Sequence, residues 1–256
     1  MINFLKIASG FAFTTIIVLI FKPIWLFELN LYQLVLGAAA ALIGPVLAWF
    51  FYIKAIGGMD VSLVSPGSNS YPILAIGIDF VVYGVVPSWI AMSAAMAILA
   101  GLWLLSVDSP KTRAAKLSWL YVFITASCWA VNNVLFKTLV ASAGVLSATW
   151  LRVFFAFIFL GVIVLVFQRN SLRSFNKKHL PAVLGAGVLH DFGVAFLFIA
   201  ALKLSPIFVV SPLSATSPLF AALLSGRFLK ERVGPWRWAG VFLIVAGIAV
   251  MSMSRL

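Results

Sequence analysis

Side chains that carry enzyme chemistry are scarce in this sequence. Its 256 residues include one cysteine, two histidines and six acidic residues. A single cysteine excludes an intrachain disulfide and a metal cluster held by several cysteines. The chain also has neither the H-E-x-x-H pattern of zinc proteases nor the G-x-x-x-x-G-K-[ST] pattern that cradles nucleotide phosphates. We therefore expect no metal, no cofactor and no nucleotide site of that kind.

Apolar residues dominate instead. They make up 64% of the chain, charged residues make up only 9%, and the mean hydropathy is +1.15. No soluble domain can bury that much apolar surface, and apolar segments of about 20 residues match the thickness of a bilayer. The sequence therefore predicts an all-α polytopic membrane helix bundle, because a helix satisfies its own backbone hydrogen bonds in lipid.

About nine apolar segments are long enough to span the membrane, and the connections between them leave no room for a soluble domain. The first segment ends without a small-residue cleavage site, so we expect a retained helix rather than a signal peptide. The segments are 4–21, 31–53, 60–83, 87–106, 117–139, 148–168, 181–203, 206–228 and 235–254.

The net charge of +12 raises the question of nucleic-acid binding. The basic residues are separated by membrane-length apolar segments, and they concentrate in the loops 107–116, 168–180 and 227–237. Lys and Arg favour cytoplasmic loops beside anionic lipid, so we expect this face in the cytoplasm and no nucleic-acid partner. Alternating helices then place the N-terminus inside and the C-terminus outside, in the plasma or inner membrane of the cell.

The chain contains an internal repeat with an offset of 146 residues. Residues 65–75 match residues 211–221 at five of eleven positions, namely two serines, two prolines and an alanine. With no gap, the same offset aligns Lys6 with Arg152 and Phe11 with Phe157. Repeats of this kind are typical of secondary transporters, whose substrate sites lie at the repeat interface.

We therefore predict two homologous halves. Residues 1–106 form the first repeat with four helices, residues 107–116 form a basic connecting loop, and residues 117–256 form the second repeat with five helices. The helix at 117–139 has no upstream counterpart. The first copy is therefore expected to lack the first helix of a five-helix unit in the sequence given, either because that helix is absent or because the true start lies upstream.

A series of motifs in the second half resembles the closing part of an EamA repeat, from the drug/metabolite transporter superfamily. The motifs are Ala201-Leu202, the proline-bearing segment 211–218, Leu229-Lys230-Glu231-Arg232, and residues 240–247, which read G-x-x-L-I-x-x-G. Lys230 stands where the family usually has glycine. The resemblance implies ten helices in two halves of opposite orientation, and a protein that moves small metabolites. Basic loops on one face in both halves fit this inverted arrangement poorly.

Polar residues inside apolar segments are costly, so each requires an explanation. Two sets share the spacing of one helix face: Ser65, Ser68, Asn69 and Pro72 in the first copy, and Ser211, Ser214 and Pro218 in the second. One hypothesis is a pair of polar stripes across a central cavity, with prolines leaving carbonyls free to meet a substrate. The alternative is that the serines donate hydrogen bonds to carbonyls of their own helix or of a neighbouring helix. The proline kinks would then affect only the shape of the helices.

His190 and Asp191 fall near the middle of the 181–203 segment, where the offset aligns Gly44 and Pro45. We expect Asp191 to bind a cationic part of a substrate or a coupling proton, which the neighbouring imidazole could share. The alternatives are a permanently protonated Asp191 or one bonded to a neighbouring helix. Adjacent helical residues point about 100° apart, so the two side chains need not touch.

Other polar residues lie in the apolar segments. Asn132 and Asn133 either join the cavity or hydrogen-bond between helices. Lys137 and Arg152 are expected to extend to the membrane surface from helix ends. Asp79 is either functional or reaches water near the turn that follows it.

The sequence as a whole predicts a secondary transporter that moves a small-molecule substrate by alternating access between the two repeats. Its energy would come from a coupling proton or from exchange, and a homodimer is possible. Two aspartates within the apolar segments favour a neutral or cationic solute. The alternatives are a non-transporting membrane subunit or assembly partner, and a membrane-embedded enzyme.

Overall fold

A computed structural model describes residues 2–22, 28–59, 61–104, 107, 116–167, 177–217, 219–220 and 234–253. All regular secondary structure in these ranges is helical, which confirms the all-α prediction. Pro218, the Leu-Lys-Glu-Arg motif at residues 229–232 and most of the predicted basic loops lie outside them, so the orientation of the termini stays a prediction.

The first half of the chain contributes six α-helices and one π-helix to the described residues. In chain order they are α1 Ile2–Phe21, α2 Leu31–Ala41, π1 Leu42–Ala48, α3 Trp49–Ile56, α4 Val61–Ser68, α5 Tyr71–Tyr83 and α6 Trp89–Leu104. The helix α2 begins at a capping box, in which the Asn30 side chain accepts from the Gln33 backbone N–H at 2.9 Å.

The second half contributes the remaining described helices. They are α7 Lys116–Ala143, α8 Val145–Phe167, a 3₁₀ turn Lys177–His179, α9 Leu180–Gly187, π2 Val188–Val194, α10 Ala195–Leu204, α11 Ile207–Ser214 and α12 Pro235–Met253. Within the part of the chain that the structure describes, five continuous helical stretches are long and apolar enough to cross a membrane: Ile2–Phe21, Leu31–Ile56, Lys116–Ala143, Val145–Phe167 and Leu180–Leu204. The shorter helices Trp89–Leu104 and Trp238–Met251 are also apolar.

The predicted 60–83 segment is broken rather than continuous. The helix α4 ends at Ser68 and α5 begins at Tyr71, with a turn at Asn69 and Ser70 between them. Pro72 lies in the first turn of α5, where a missing backbone N–H is tolerated. The same proline could not donate to a carbonyl one turn earlier, which explains why the helix does not run through.

Two π-helical segments interrupt otherwise regular helices. They are π1 and π2, and the 146-residue offset aligns their first and last residues. Pro45 lies within π1, and Asp191 lies at the matching position in π2. Single π turns inside α-helices often occur at functional positions, so π2 draws attention to Asp191.

One compact unit comprises residues 1–46 and 135–204. In this unit α1 packs along α8 and against α9 and π2, while α2 packs against α8. Its core includes Ile7 of α1, Ala41 of α2 and Ala156 of α8, surrounded by phenylalanines of α8. Helices α1, α2 and α8, which are distant in sequence, therefore pack together in this unit.

The other compact unit comprises residues 47–134 and 205–256. Here α6 packs along α12, and α11 packs against α5 and α6. The core includes Ile76 of α5, Ala94 of α6, Val209 of α11 and Met251 of α12. Alanines on the packed face of α6 leave room for a close helix approach.

Each compact unit contains helices from both predicted repeats. The pairs α1 with α8 and α6 with α12 each pack together within one unit, and each joins helices that the 146-residue offset aligns. Compactness and sequence repetition are different properties, however. The division into a first repeat (1–106), a connecting loop (107–116) and a second repeat (117–256) therefore stays a prediction that the two repeats are homologous.

Candidate functional site

Asp191 is the centre of a buried charge cluster in the first compact unit. Its side chain is 1% exposed. Arg152 of α8 donates from Nη2 to Asp191 Oδ1 at 3.2 Å, and from Nη1 to the Asp191 backbone oxygen at 3.3 Å. Lys6 of α1 places its Nζ 3.5 Å from Asp191 Oδ2. We call Lys6, Arg152, His190 and Asp191 the Asp191 cluster.

His190 links the two ends of this cluster. Its Nδ1 lies 3.3 Å from Lys6 Nζ and 3.2 Å from Asp191 Oδ1. An ammonium group can only donate and a carboxylate can only accept. An unprotonated Nδ1 therefore accepts from Lys6, whereas a protonated Nδ1 donates to Asp191. The His190 and Asp191 side chains are therefore in contact, although adjacent residues of a regular helix point about 100° apart.

Two glycines allow α1 to approach α9 and π2 at backbone distance. A Cβ added to Gly187 would overlap the Lys6 backbone oxygen and the Ser9 hydroxyl, and one added to Gly10 would lie 2.6 Å from Asp191 Cβ. Ser9 Oγ lies 2.8 Å from the Lys6 backbone oxygen and 2.9 Å from the Leu184 backbone oxygen, and its single proton is donated to one or shared between them. This close crossing is what brings the Lys6 side chain to Asp191.

A second polar cluster lies in the other compact unit, around α11. Asn133 Nδ2 donates to Ser211 Oγ at 2.6 Å. The Tyr71 hydroxyl lies 2.6 Å from Ser214 Oγ and donates to the Ser211 backbone oxygen at 3.2 Å. The structure therefore brings Asn133, Ser211 and Ser214 together, with Tyr71 as an additional member.

The other predicted polar residues have different surroundings. Asn69 Nδ2 donates to the Ser65 backbone oxygen at 2.8 Å, so these two residues pair within one segment. Ser68 Oγ and Asn132 Oδ1 are buried and have no hydrogen-bond partner among the described residues. Such unsatisfied atoms are uncommon in native proteins and often mark functional positions.

Aromatic rings lie beside this second cluster. Trp129 of α7 contacts Tyr71 with ring centroids 5.9 Å apart and Tyr52 with centroids 5.8 Å apart. A separate apolar cavity of about 400 Å³ lies between α5 and α7, lined by Ile73, Leu74, Gly77, Ile78, Val81, Ser127 and Val131. Asp79 of α5 is 1% exposed, so the proposal that it reaches water at the helix end is wrong.

A sequence profile described as the EamA-like transporter family matches residues 116–253, which is more than half of the chain. The chain belongs to the EamA-like transporter family. It is therefore a multi-pass integral membrane protein of a transporter family, as the resemblance in its motifs implied.

Relatives of this EamA protein carry matching names. An "Uncharacterized transporter" of Archaeoglobus fulgidus is 26% identical over 205 residues, which cover 80% of this chain and 71% of the relative. The "Uncharacterized transporter YwfM" of Bacillus subtilis (strain 168) is 26% identical over 207 residues, which cover 80% of this chain and 68% of the relative. A solved crystal structure has a TM-score of 0.80 over 98% of this chain and 86% of its own, at 18% identity, and supports the fold alone.

Sequence reasoning missed two members of the Asp191 cluster in this EamA protein. Arg152 was expected to extend to the membrane surface, but its side chain is 10% exposed and bonded to Asp191. The expectation was wrong because Arg152 lies on the face of α8 that packs in the unit, where a buried carboxylate is available. Lys6 carried a usable signal, since the repeat offset aligns it with Arg152.

Proposed function

We propose that this EamA protein is a secondary transporter of the cell membrane, which moves a small solute by alternating access with the Asp191 cluster on the solute's path. The observation that carries the proposal is the ion pairing of Asp191 with Lys6 and Arg152 inside apolar helices. Ionisable groups at such positions are costly, and in membrane proteins they mark substrate and ion pathways.

The geometry of His190 supports a coupling proton. Its Nδ1 is within hydrogen-bond distance of Lys6 Nζ and of Asp191 Oδ1. When a His190 that is neutral and protonated at Nε2 takes up a proton at Nδ1, acceptance from Lys6 ends and a charged donor to Asp191 is created. Protonation therefore switches the hydrogen bond of His190 from the Lys6 ammonium to the Asp191 carboxylate. This switch reorganises the contacts between α1 and π2.

The position of the cluster supports movement of the helices that hold it. Lys6, Arg152 and Asp191 lie on α1, α8 and π2, which are three separate segments of one compact unit. A solute or proton that alters the ion pairs changes the free energy of packing between these segments. Binding can shift a conformational equilibrium only through such differences between states.

The test is transport by the purified full chain in proteoliposomes. A pool of small metabolites is offered with an imposed proton gradient, and uptake is read by mass spectrometry. We expect at least one solute to accumulate with wild-type protein and not with Asp191→Asn. Glu28→Gln is the matched control, because Glu28 is an exposed carboxylate outside the Asp191 cluster.

Two results would contradict the proposal. One is the absence of flux for every solute from a protein that is monodisperse and shows a cooperative thermal transition. The other is wild-type flux from Asp191→Asn, which would remove the Asp191 cluster from the path.

A further inference from the structure

The backbone hydrogen bonds of π2 leave an oxygen for Arg152. In a regular α-helix each backbone N–H donates to the oxygen four residues earlier, so the Ala195 N–H would donate to the Asp191 oxygen. In this protein the Ala195 N–H instead reaches the backbone oxygens of His190 and Phe192. The Asp191 oxygen accepts from Arg152 Nη1 at 3.3 Å. Arg152 therefore bonds to the acceptor that a regular α-helix would use at this point.

The side chain of Asp191 gives Arg152 a second point of attachment. Arg152 Nη2 donates to Asp191 Oδ1 at 3.2 Å. Both donors belong to one planar guanidinium group, whose N–H directions are fixed relative to each other. The contact therefore specifies where the carboxylate lies relative to its own backbone oxygen, and it stabilises the π-helical register in which that oxygen is available.

The first copy has the same irregularity from a different cause. The repeat offset aligns π1 with π2, and Pro45 occupies the position of Asp191. Proline has no backbone N–H, and inside an α-helix its ring clashes with the carbonyl four residues earlier. The irregularity of π1 is therefore imposed by the covalent structure of Pro45.

Nothing comparable is present in the sequence of π2. The segment reads Val-Leu-His-Asp-Phe-Gly-Val and contains no proline, so each of its residues keeps a backbone N–H. A π turn is rare and appears mostly as a short interruption of an α-helix, frequently at a functional position. The register of π2 therefore depends on packing and on the contact from α8, whereas that of π1 depends on its own residue.

We propose that Arg152 positions Asp191 by holding π2 in its π-helical register, and that π2 converts to a regular α-helix when this contact is released. One residue turns a helix by about 100°, so the conversion would turn α10 relative to α9 by about that angle. Pro45 denies the same freedom to π1. The second repeat therefore has a reversible segment where the first has a fixed one. This inference concerns conformation and goes beyond the proposed transport function.

A ring contact of α10 provides the probe. The Phe198 ring packs against the Phe136 ring of α7, with centroids 6.5 Å apart. Phe198 is replaced with a phenylalanine that carries a trifluoromethyl group on its ring, and the full chain is studied in lipid nanodiscs by fluorine NMR. Phe136→Leu identifies the resonance that depends on this contact. A turn of α10 would move the probe away from Phe136 and shift that resonance.

Two double variants differ only at residue 191. Arg152→Met/Asp191→Asn and Arg152→Met/Asp191→Pro both lack the ion pair and the buried carboxylate, so the same charges are missing from both. We expect the asparagine variant to shift the resonance, because its segment is free to become α-helical. The proline variant should keep the wild-type resonance, because proline imposes on π2 the constraint that Pro45 imposes on π1. Lys203→Met is the control, since it removes an exposed cation from α10 itself.

Two results would overturn the inference. A wild-type resonance in Arg152→Met/Asp191→Asn would show that π2 keeps its register without Arg152. A shifted resonance in both double variants would show that proline at residue 191 does not hold the π-helical register. These measurements use no solute, so a failure to find flux in proteoliposomes would remove the transport function and leave this result unaffected.

Discussion

Arg152 and Asp191 are joined at two points, from Nη2 to the carboxylate at 3.2 Å and from Nη1 to the backbone oxygen at 3.3 Å. The arginine therefore fixes both the side chain of Asp191 and the backbone of π2. Helix α8 carries Arg152, so the pair also ties α8 to π2 inside the membrane.

Removal of Arg152 alone should be more damaging than removal of the whole pair. Arg152→Met leaves a buried carboxylate without its main partner, which typically costs about 3–5 kcal/mol. Asp191→Asn in the same chain removes that carboxylate, so the double variant should be more stable than Arg152→Met. Thermal unfolding in detergent measures the cycle, and simple addition of the two single effects would show that the residues do not interact.

Gly187→Ala should push α1 away from α9 and π2. The added Cβ would overlap the Lys6 backbone oxygen and Ser9 Oγ, and overpacking of this kind costs about 1–3 kcal/mol. Gly185→Ala is the matched control on the same helix, because its Cβ would meet nothing within 4 Å. A lower unfolding midpoint and reduced flux are expected for Gly187→Ala only. Equal effects of the two changes would show that helix propensity matters here and close approach does not.

His190→Gln should remove the pH dependence of transport. In the wild-type protein, flux driven by a solute gradient should be higher at acid than at alkaline pH, because a proton taken up by His190 creates a charged donor to Asp191. Glutamine can accept from Lys6 or donate to Asp191 but cannot change its charge. His179→Gln is the control, since His179 is exposed and lies outside the Asp191 cluster. An unchanged pH profile in His190→Gln would place the coupling proton elsewhere.

Tyr71→Phe should loosen the polar cluster around α11. The hydroxyl donates to the Ser211 backbone oxygen and lies 2.6 Å from Ser214 Oγ. Loss of a hydrogen bond typically costs about 0.5–1.5 kcal/mol, and the Ser211 oxygen still accepts from Ser214 Oγ at 2.9 Å. Tyr32→Phe is the control because Tyr32 is 56% exposed. Equal unfolding midpoints for the two variants would show that the Tyr71 hydroxyl contributes nothing to stability.

Pro66→Ala and Pro212→Ala should both slow transport. Each proline lies inside a short helix, α4 or α11, and the offset aligns the two positions. Alanine restores a backbone N–H, which can complete a hydrogen bond within the helix. Initial uptake rates at saturating solute measure the effect. A change that affects only one of the two variants would contradict a symmetric role of the repeats in transport.

Much of the fold could be predicted from the sequence, because apolar segments of membrane length have few alternatives to a helix. The break after Ser68 was not predicted, because a proline can lie in the first turn of a helix, as Pro72 does, or inside one, as Pro66 does. The two π-helices could not be predicted from the sequence, because one additional residue per turn barely changes a pattern that is uniformly apolar. Segments such as residues 31–56 are apolar on every side, so their periodicity carries little information.

The Asp191 cluster could be predicted only in part. The position of Asp191 in the middle of an apolar segment marked it as functional, because a carboxylate there is costly. Its partners come from α1 and α8, and the choice of which helix face meets which partner depends on packing between distant segments. Lys6 and Arg152 were visible as a matched pair in the repeat, but the alignment alone does not show that both reach one carboxylate.

The π-helix at Val188–Val194 also sets the rotational phase of the helix that contains it. A π turn holds one residue more than an α turn, and each residue turns a helix by about 100°. Deletion of a single residue within this segment would allow a plain α-helix from Leu180 to Leu204. The residues on one side of the deletion would then face about a quarter-turn away from their present neighbours. A one-residue length difference between homologues at this point would therefore separate proteins that can build the Asp191 cluster from proteins that cannot.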